Sequence, residues 1–295
     1  MTAYAFETWD VFTDSVFAGN PLAIVMDGRG LSADDMLKIT REFNLSETTF
    51  VLPPVDSGNT ARVRIFTLGY EMPFAGHPTV GTAIAIARMR DLQGALALEL
   101  QAGLFHVQVD RDGDKWRAEF LNPNLPKETG DPPSAERIEA ALSLRAGAID
   151  RGAHKPRRCG AGVDYIYACA SLEDVATASV NSAAFDGLGL DNIVGVLLYA
   201  DGGVASDATY HARMFAPNAG ILEDPATGSA AAALPGQIVL SEQLSDGEHH
   251  WVIEQGFEMG RPSRIHARVN TQGGAVTSVK IGGAAAPVQR GEFSF

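Results

Sequence analysis

Short runs of alternating apolar residues dominate the chain. Leu96, Leu98 and Leu100, then Phe105, Val107 and Val109, then Trp116, Ala118 and Phe120 repeat with period two, so each run predicts a strand with one buried face. Asp112-Gly113 reads as a tight turn between the last two. The pattern returns late in the chain with Trp251 and Ile253, with Ile265, Ala267 and Val269, and with Val279 and Ile281. Further strand candidates span Tyr4 to Val11 and Leu22 to Met26. Helical spacing is rarer. Ser32 and Asp35 form a capping-box-like pair opening a helix that presents Met36, Ile39 and Phe43 to a core. Pro78 suits the first turn of a second helix, in which Val80, Ala83, Ile84 and Ala87 recur.

The chain also echoes itself. Arg64-Ile-Phe-Thr67 resembles Arg213-Met-Phe-Ala216, and each is followed by a small-residue turn and an alanine-rich segment. The turns are Ala75-Gly-His-Pro-Thr-Val-Gly-Thr-Ala83 and Ala226-Thr-Gly-Ser-Ala-Ala-Ala232, so the copies sit about half a chain apart, as an ancient duplication would leave them. Each half reads as strands, a central helix and more strands, an α+β arrangement in which a curved, mostly antiparallel sheet or barrel wraps one buried helix. Asn122 to Pro133 carries four prolines and no periodicity, which marks a linker. The expected domains are 1–127 and 128–281. Pro235-Gly236 predicts that the second central helix ends or kinks early.

Composition narrows the function classes. With 45% apolar and 20% charged residues, 295 residues can bury two cores. A formal charge of −13, with only Lys155-Pro-Arg-Arg158 as a short basic cluster, argues against a nucleic-acid partner. No apolar run approaches the roughly 18 residues of a membrane span, and the first ten residues lack a leader pattern, so no membrane association and a cytoplasmic location are expected. A dinucleotide fingerprint and a phosphate loop are both missing, and no cofactor is expected.

Chemistry concentrates at the two turns. A helix start built from Gly, Ala, Ser and Thr leaves backbone N–H groups pointing outward at the positive end of the helix dipole, where a carboxylate or phosphate can bind. Two matched turns facing each other across a domain cleft would hold a small anion; tightly packed ordinary helix starts are the plainer alternative. Beside them stand three ionisable groups, Glu47 in Asn-Leu-Ser-Glu-Thr-Thr-Phe, His77 and Asp224. Glu47 sits between a helix and the apolar run Phe50-Val-Leu, where partial burial would fit it to remove a proton from carbon. It could equally be a solvent-facing turn glutamate, His77 an N-cap and Asp224 a helix-terminal charge.

Four stretches together resemble the phenazine-biosynthesis PhzF-like family over nearly the whole length: Asp10 to Val25, Phe43 to Phe50, Glu71 to Ala83, and Arg213 through Glu223-Asp-Pro-Ala-Thr-Gly-Ser-Ala230. The resemblance implies a diaminopimelate-epimerase-like fold of two pseudosymmetric domains, residues 282–295 returning to the first, assembled as a homodimer. It implies a cofactor-free isomerase that shifts a proton on a small anionic substrate, as in isomerisation of a dihydro-hydroxyanthranilate. Carried over by position, Glu47, His77 and Asp224 become catalytic. Gly76, Thr227, Gly228 and Ser229, with the glycine pair Gly282-Gly283, become substrate-binding. An epimerase or racemase acting at one carbon, and a non-catalytic metabolite-binding homologue, stay open as alternatives.

Other signals are weaker. No thiol stands at the turns, against a two-cysteine racemase. Cys159-Gly-Ala-Gly162 precedes an alternating, strand-like run and reads as a structural cysteine, and Cys169 as core. His249-His250 lacks a third ligand at regular spacing and follows what reads as an exposed loop, Ser245 to Glu248, so no metal is expected.

Overall fold

In the computed structural model, which describes residues 2–149 and 152–295, the period-two runs of the first half fold into one closed sheet. Its elements are β1 (Ala3–Val11), β2 (Asn20–Val25), α1 (Ala33–Phe43), β3 (Glu47–Leu52), β4 (Ala61–Thr67), β5 (Glu71–Met72), α2 (Gly76–Arg90), β6 (Gly94–Leu100), β7 (Gly103–Asp112) and β8 (Lys115–Leu121). β2 and β3 pair in parallel, as do β4 and β6, while β1–β2, β3–β4, β6–β7 and β7–β8 pair antiparallel. Residues 285–294 pair with β1, and the strand they belong to also pairs with β8, which closes a ring of eight strands.

α2 fills that ring. Every residue from Gly76 to Ala87 is buried, so the helix needs to be apolar or small on all sides rather than on one stripe. Gly81 permits the closest approach: a Cβ there would stand 2.7 Å from a Val11 methyl and 2.8 Å from Leu22. The Thr49 and Thr82 hydroxyls hydrogen-bond at 2.8 Å between β3 and α2, a buried contact worth about 1 kcal/mol. α1 covers one outer face with Met36 and Ile39 against Val25, Phe50 and Phe66. Its start carries the full reciprocal box between Ser32 and Asp35.

Contact density divides the chain into two units, residues up to 121 with 282–295, and residues 122–281. The proline-rich stretch around the expected boundary at 127 lies in the second unit, and part of it is a strand, because its prolines flank rather than interrupt 127–130. This unit contains β9 (Lys127–Gly130), α3 (Ala135–Ala141), β10 (Arg157–Gly160), β11 (Asp164–Cys169), α4 (Leu172–Thr177), α5 (Ser182–Asp186), β12 (Ile193–Asp201), β13 (Tyr210–Ala216), β14 (Ile221–Asp224), α6 (Gly228–Val239), β15 (Gly247–Gln255) and β16 (Ser263–Gln272). Gly273 and Gly274, both at positive φ, turn the chain into β17 (Ala275–Ser294), of which 275–281 belong here and the remainder to the first unit. Ile138, Val175 and Phe185 from the three short helices pack on Ile166, Leu198 and Phe215.

The pairing pattern of the first unit recurs in the second. β11–β12 and β13–β15 are parallel; β10–β11, β12–β13 and β15–β16 are antiparallel. Side chains repeat with it. Arg64 grips Glu71 from the next strand, with Nε–Oε1 2.7 Å, and lies over the Phe66 ring. Arg213 grips Glu223 at 2.8 Å through both nitrogens and lies over Phe215. The Glu99 carboxylate accepts the N–H groups of Val55 and Asp56, and the Glu254 carboxylate those of Val204 and Ala205. Both carboxylates thus pin the loop before the arginine strand, a charge-assisted contact to two successive donors. The duplication visible as a short motif is therefore a duplication of supporting interactions.

Two expectations need correction. α6 runs through Pro235 to Val239 instead of ending there, because a helix buried along nearly its whole length draws its stability from packing, and a Cβ at Gly236 would stand only 3.2–3.4 Å from Pro126 and Lys127. Gly247 and Glu248 already belong to β15, so the loop before His249 is shorter than read. His249 there meets the Ser245 carbonyl and the Thr271 hydroxyl. Among the described residues, no helix is long and apolar enough to cross a membrane.

Candidate functional site

Glu47 owes its position to the end of α1. Asn44 takes the left-handed conformation, φ 53°, and its N–H bonds to the Thr40 carbonyl, which stops the helix and turns the chain. β3 begins three residues later, and Glu47 is locked between Leu22 on one side and Thr67 on the other. Side chains alternate along a strand, so Glu47 shares the face of Thr49, the residue that reaches α2. The carboxylate consequently points at the start of the central helix.

His77 waits there. It is the second residue of α2 and only 6% exposed, and its Nε2 lies 3.4 Å from Glu47 Oε2. Among the described residues Nε2 makes no hydrogen bond of acceptable geometry. The contact would be an ion pair only with a protonated ring. Burial instead pushes the imidazole down to about 3, and the positive end of the α2 dipole works in the same direction. Burial thus favours the neutral imidazole beside the Glu47 carboxyl group. The Ala75 N-cap gives the helix no side-chain cap, so the Gly76 and His77 amides open the helix without one.

The second unit assembles a different set at its own helix start. Thr227 is the N-cap of α6, yet its hydroxyl does not cap the helix; it donates to Asp224 Oδ2 at 2.5 Å. Gln255, 1% exposed, donates through Nε2 to the Asp224 carbonyl at 2.6 Å and to Thr227 Oγ1 at 3.0 Å, and accepts the Thr227 N–H at 3.1 Å. Ser229 Oγ lies 2.7 Å from the Tyr165 hydroxyl, and Tyr167 donates to the Ala230 carbonyl. Asp224 and Thr227 thus share one hydrogen-bonded set with Gln255, and Gly228 and Ser229 follow as the first two residues of α6. Gly282 has a local explanation: a Cβ would sit 2.5 Å from the Ala118 carbonyl oxygen, so the barrel wall alone requires glycine.

Gln255 and Tyr165 escaped the sequence reading. Gln255 was detectable in principle, since it is in phase with buried Trp251 and Ile253 and a polar residue at an inward position calls for a partner. Nothing in the local pattern marks the Tyr165 hydroxyl. Asp10, which opens one of the four resembling stretches, is 3% exposed and accepts the Phe17 N–H at 2.6 Å, organising the β1–β2 loop. Cys159 is buried, and burial, helped by Glu128, pushes its thiol up to about 12, which makes it inert. Cys169 is core.

The two helix starts are equivalent in the fold but not in chemistry. His77 occupies the second position of α2 and Ser229 the second position of α6. Thr48 faces Phe66 across β3–β4 as Val196 faces Phe215 across β12–β13, which puts Gly195 where the first unit has Glu47. At Gly195 a Cβ would stand 2.1 Å from the Phe215 carbonyl oxygen, so no side chain fits. The glutamate is a feature of one half only.

Comparison with known proteins agrees with this architecture. The family model described as phenazine biosynthesis-like protein matches residues 9–291. An uncharacterised isomerase of Mesorhizobium japonicum is 42% identical over 292 residues, covering 97% of each chain. The trans-2,3-dihydro-3-hydroxyanthranilate isomerase of Pseudomonas aeruginosa is 34% identical over 284 residues, covering 96% of each. The crystal structure of a PhzF-family phenazine biosynthesis protein from Bacillus anthracis superposes with a TM-score of 0.90 over the full length of both chains at 25% identity. The chain belongs to the phenazine biosynthesis-like (PhzF) family.

Proposed function

We propose that the protein is an isomerase that moves a proton between carbons of a small carboxylate-bearing metabolite, with Glu47 as the base. The observation that carries this reading is the 3.4 Å approach of Glu47 Oε2 to a buried His77 at the start of α2. A carboxylate is a far weaker base than the carbanion it would generate, so the charge has to spread onto substrate oxygen as the C–H bond breaks. Neutral imidazole and helix-terminal amides stabilise such charge well where water is excluded. His77 can donate one hydrogen bond without carrying a charge of its own, as a poised electrophile should.

Glu47 removes the proton and returns it at a displaced carbon. His77 polarises the substrate, Asp224 relays a proton, and the Gly76, Thr227, Gly228 and Ser229 positions bind. The cycle is neutral in protons and uses no electron acceptor, so this reading needs no cofactor. The chemistry named for the Pseudomonas relative, isomerisation of an anthranilate derivative, falls within this class. A homodimer, carried from the family resemblance, is part of the proposal and is read by light scattering.

A racemase with two matched bases is disfavoured by the inequality of the halves, since Gly195 and Ser229 stand where the first unit has Glu47 and His77. The test is turnover of trans-2,3-dihydro-3-hydroxyanthranilate, followed by chromatography, by the wild type and by Glu47→Gln. The proposal expects conversion to an isomer by the first and loss of about two to four orders of magnitude in the second. Equal rates would remove Glu47 from the mechanism.

A further inference from the structure

We propose that Gln255 and Thr227 are positioning residues for Asp224, directing the Thr227 hydroxyl proton onto the aspartate so that it is held as an oriented hydrogen-bond acceptor. The inference rests on the reading that Asp224 takes part in the proton transfer, and it adds the device that aims it.

The first argument comes from the duplicated fold. Ile65 faces Met72 across β4–β5 as Met214 faces Asp224 across β13–β14, so Met72 is the counterpart of Asp224. Ala75 and Thr227 are the N-caps of the two central helices. Arg62 pairs with Glu99 as His211 pairs with Glu254, which makes Leu100 the counterpart of Gln255 one residue on. The triad Asp224, Thr227 and Gln255 in the second unit therefore corresponds to Met72, Ala75 and Leu100 in the first. Since the same strands and helix form around three apolar residues, the scaffold does not require the polar set. A buried glutamine carries a desolvation cost that only satisfied hydrogen bonds offset, and here they go to Thr227 and Asp224.

The second argument is the direction of the bonds. Gln255 Oε1 accepts the Thr227 N–H and its Nε2 meets the Asp224 carbonyl, so neither end of the amide can be exchanged. Nε2 must then donate to Thr227 Oγ1. A hydroxyl has one proton, and with Nε2 already donating to the oxygen, that proton has Asp224 Oδ2 as its acceptor. The chain of donors fixes both the rotamer and the polarity of the contact. It explains why an N-cap threonine gives up capping, a contribution of about 1 kcal/mol, to face a carboxylate.

The test is carboxyl titration of Asp224 in protein carrying 13C-labelled aspartate, in wild type, Thr227→Val, Thr227→Ser and Gln255→Leu. Thr227→Val keeps the shape and removes the proton; Gln255→Leu restores the arrangement of the first unit, which folds with Leu100. The expected result is a midpoint raised by about one pH unit in Thr227→Val and raised in Gln255→Leu, with Thr227→Ser returned to the wild-type midpoint. In turnover, kcat of Gln255→Leu falls about tenfold with KM little changed, and the acid limb of its kcat profile moves upward with the titration. Unchanged midpoints in Thr227→Val and Gln255→Leu would overturn the proposal. The titration needs no substrate. Asp224→Asn with full turnover would instead remove Asp224 from the chemistry and leave the titration result standing, so the two failures are separable.

Discussion

Glu47 and His77 meet at 3.4 Å although they lie 30 residues apart in sequence, the first on β3 and the second at the start of α2. Neither residue is placed by its neighbours alone. The left-handed Asn44 sets where β3 begins, and the closed barrel sets where the helix enters it. Replacing Glu47 by Gln keeps the size and removes the basicity. Turnover should fall about 10²- to 10⁴-fold with the melting temperature unchanged or raised, because no buried charge is left; parallel assays and calorimetry check both.

His77 makes stability depend on acid. Its folded value is about 3 and the unfolded value of histidine is about 6.5, so between those limits the unfolded chain binds one proton more than the native protein. The associated stability is complete above the unfolded value and is lost as pH falls, by at most about 1.4 kcal/mol per pH unit. His77→Gln should lose less melting temperature than wild type between pH 6.5 and pH 4. Identical slopes would mean that the ring is protonated when folded.

His211 has the opposite sign. The ring is 2% exposed, with Nδ1 3.2 Å from Glu254 and Nε2 2.8 Å from Glu258. Burial alone would lower its value, but the hydrogen bonds and charges of Glu258 and Glu254 outweigh it and the net shift is upward. Its contribution is full below the unfolded value of about 6.5 and fades as pH rises through the folded one. Thermal melts should show wild type losing stability from pH 6 to pH 9 more steeply than His211→Gln. Arg62 holds the matching register position beside Glu99, so the first unit has a permanent charge where the second has a titrating one.

The two equivalent arginines should differ in weight. Arg213 is 7% exposed and donates to the carbonyls of Val175 and Ala178 as well as to Glu223, so Arg213→Met leaves a buried carboxylate and bare carbonyls. Denaturant unfolding should register a loss of about 3–5 kcal/mol. Arg64 bonds to Glu71 on a more open surface, and Arg64→Met should cost about 1 kcal/mol.

Much of this was legible in the residues because local rules decided it. The Ser32–Asp35 box, the placement of Pro78 in the first turn of α2 and the period-two runs all became the elements they predict. Long-range packing decided the rest. Pro235 breaks a helix in water but not one enclosed by its own sheet, and 127–130 became a strand because Cys159 and Gly160 offered it a partner. At the site, the glutamate and histidine could be named from motifs, whereas their contact could not. Gln255 lies 28 residues beyond Thr227, and only the fold brings its amide to that hydroxyl.

Proton movement by Glu47 is tested most directly by following trans-2,3-dihydro-3-hydroxyanthranilate in heavy water by NMR with wild type and Glu47→Gln. The account predicts deuterium at a carbon other than the one that loses its hydrogen, together with a moved double bond, and no label with the variant. Deuterium retained at the original carbon with inverted configuration, or label entering at the wild-type rate without Glu47, would contradict it.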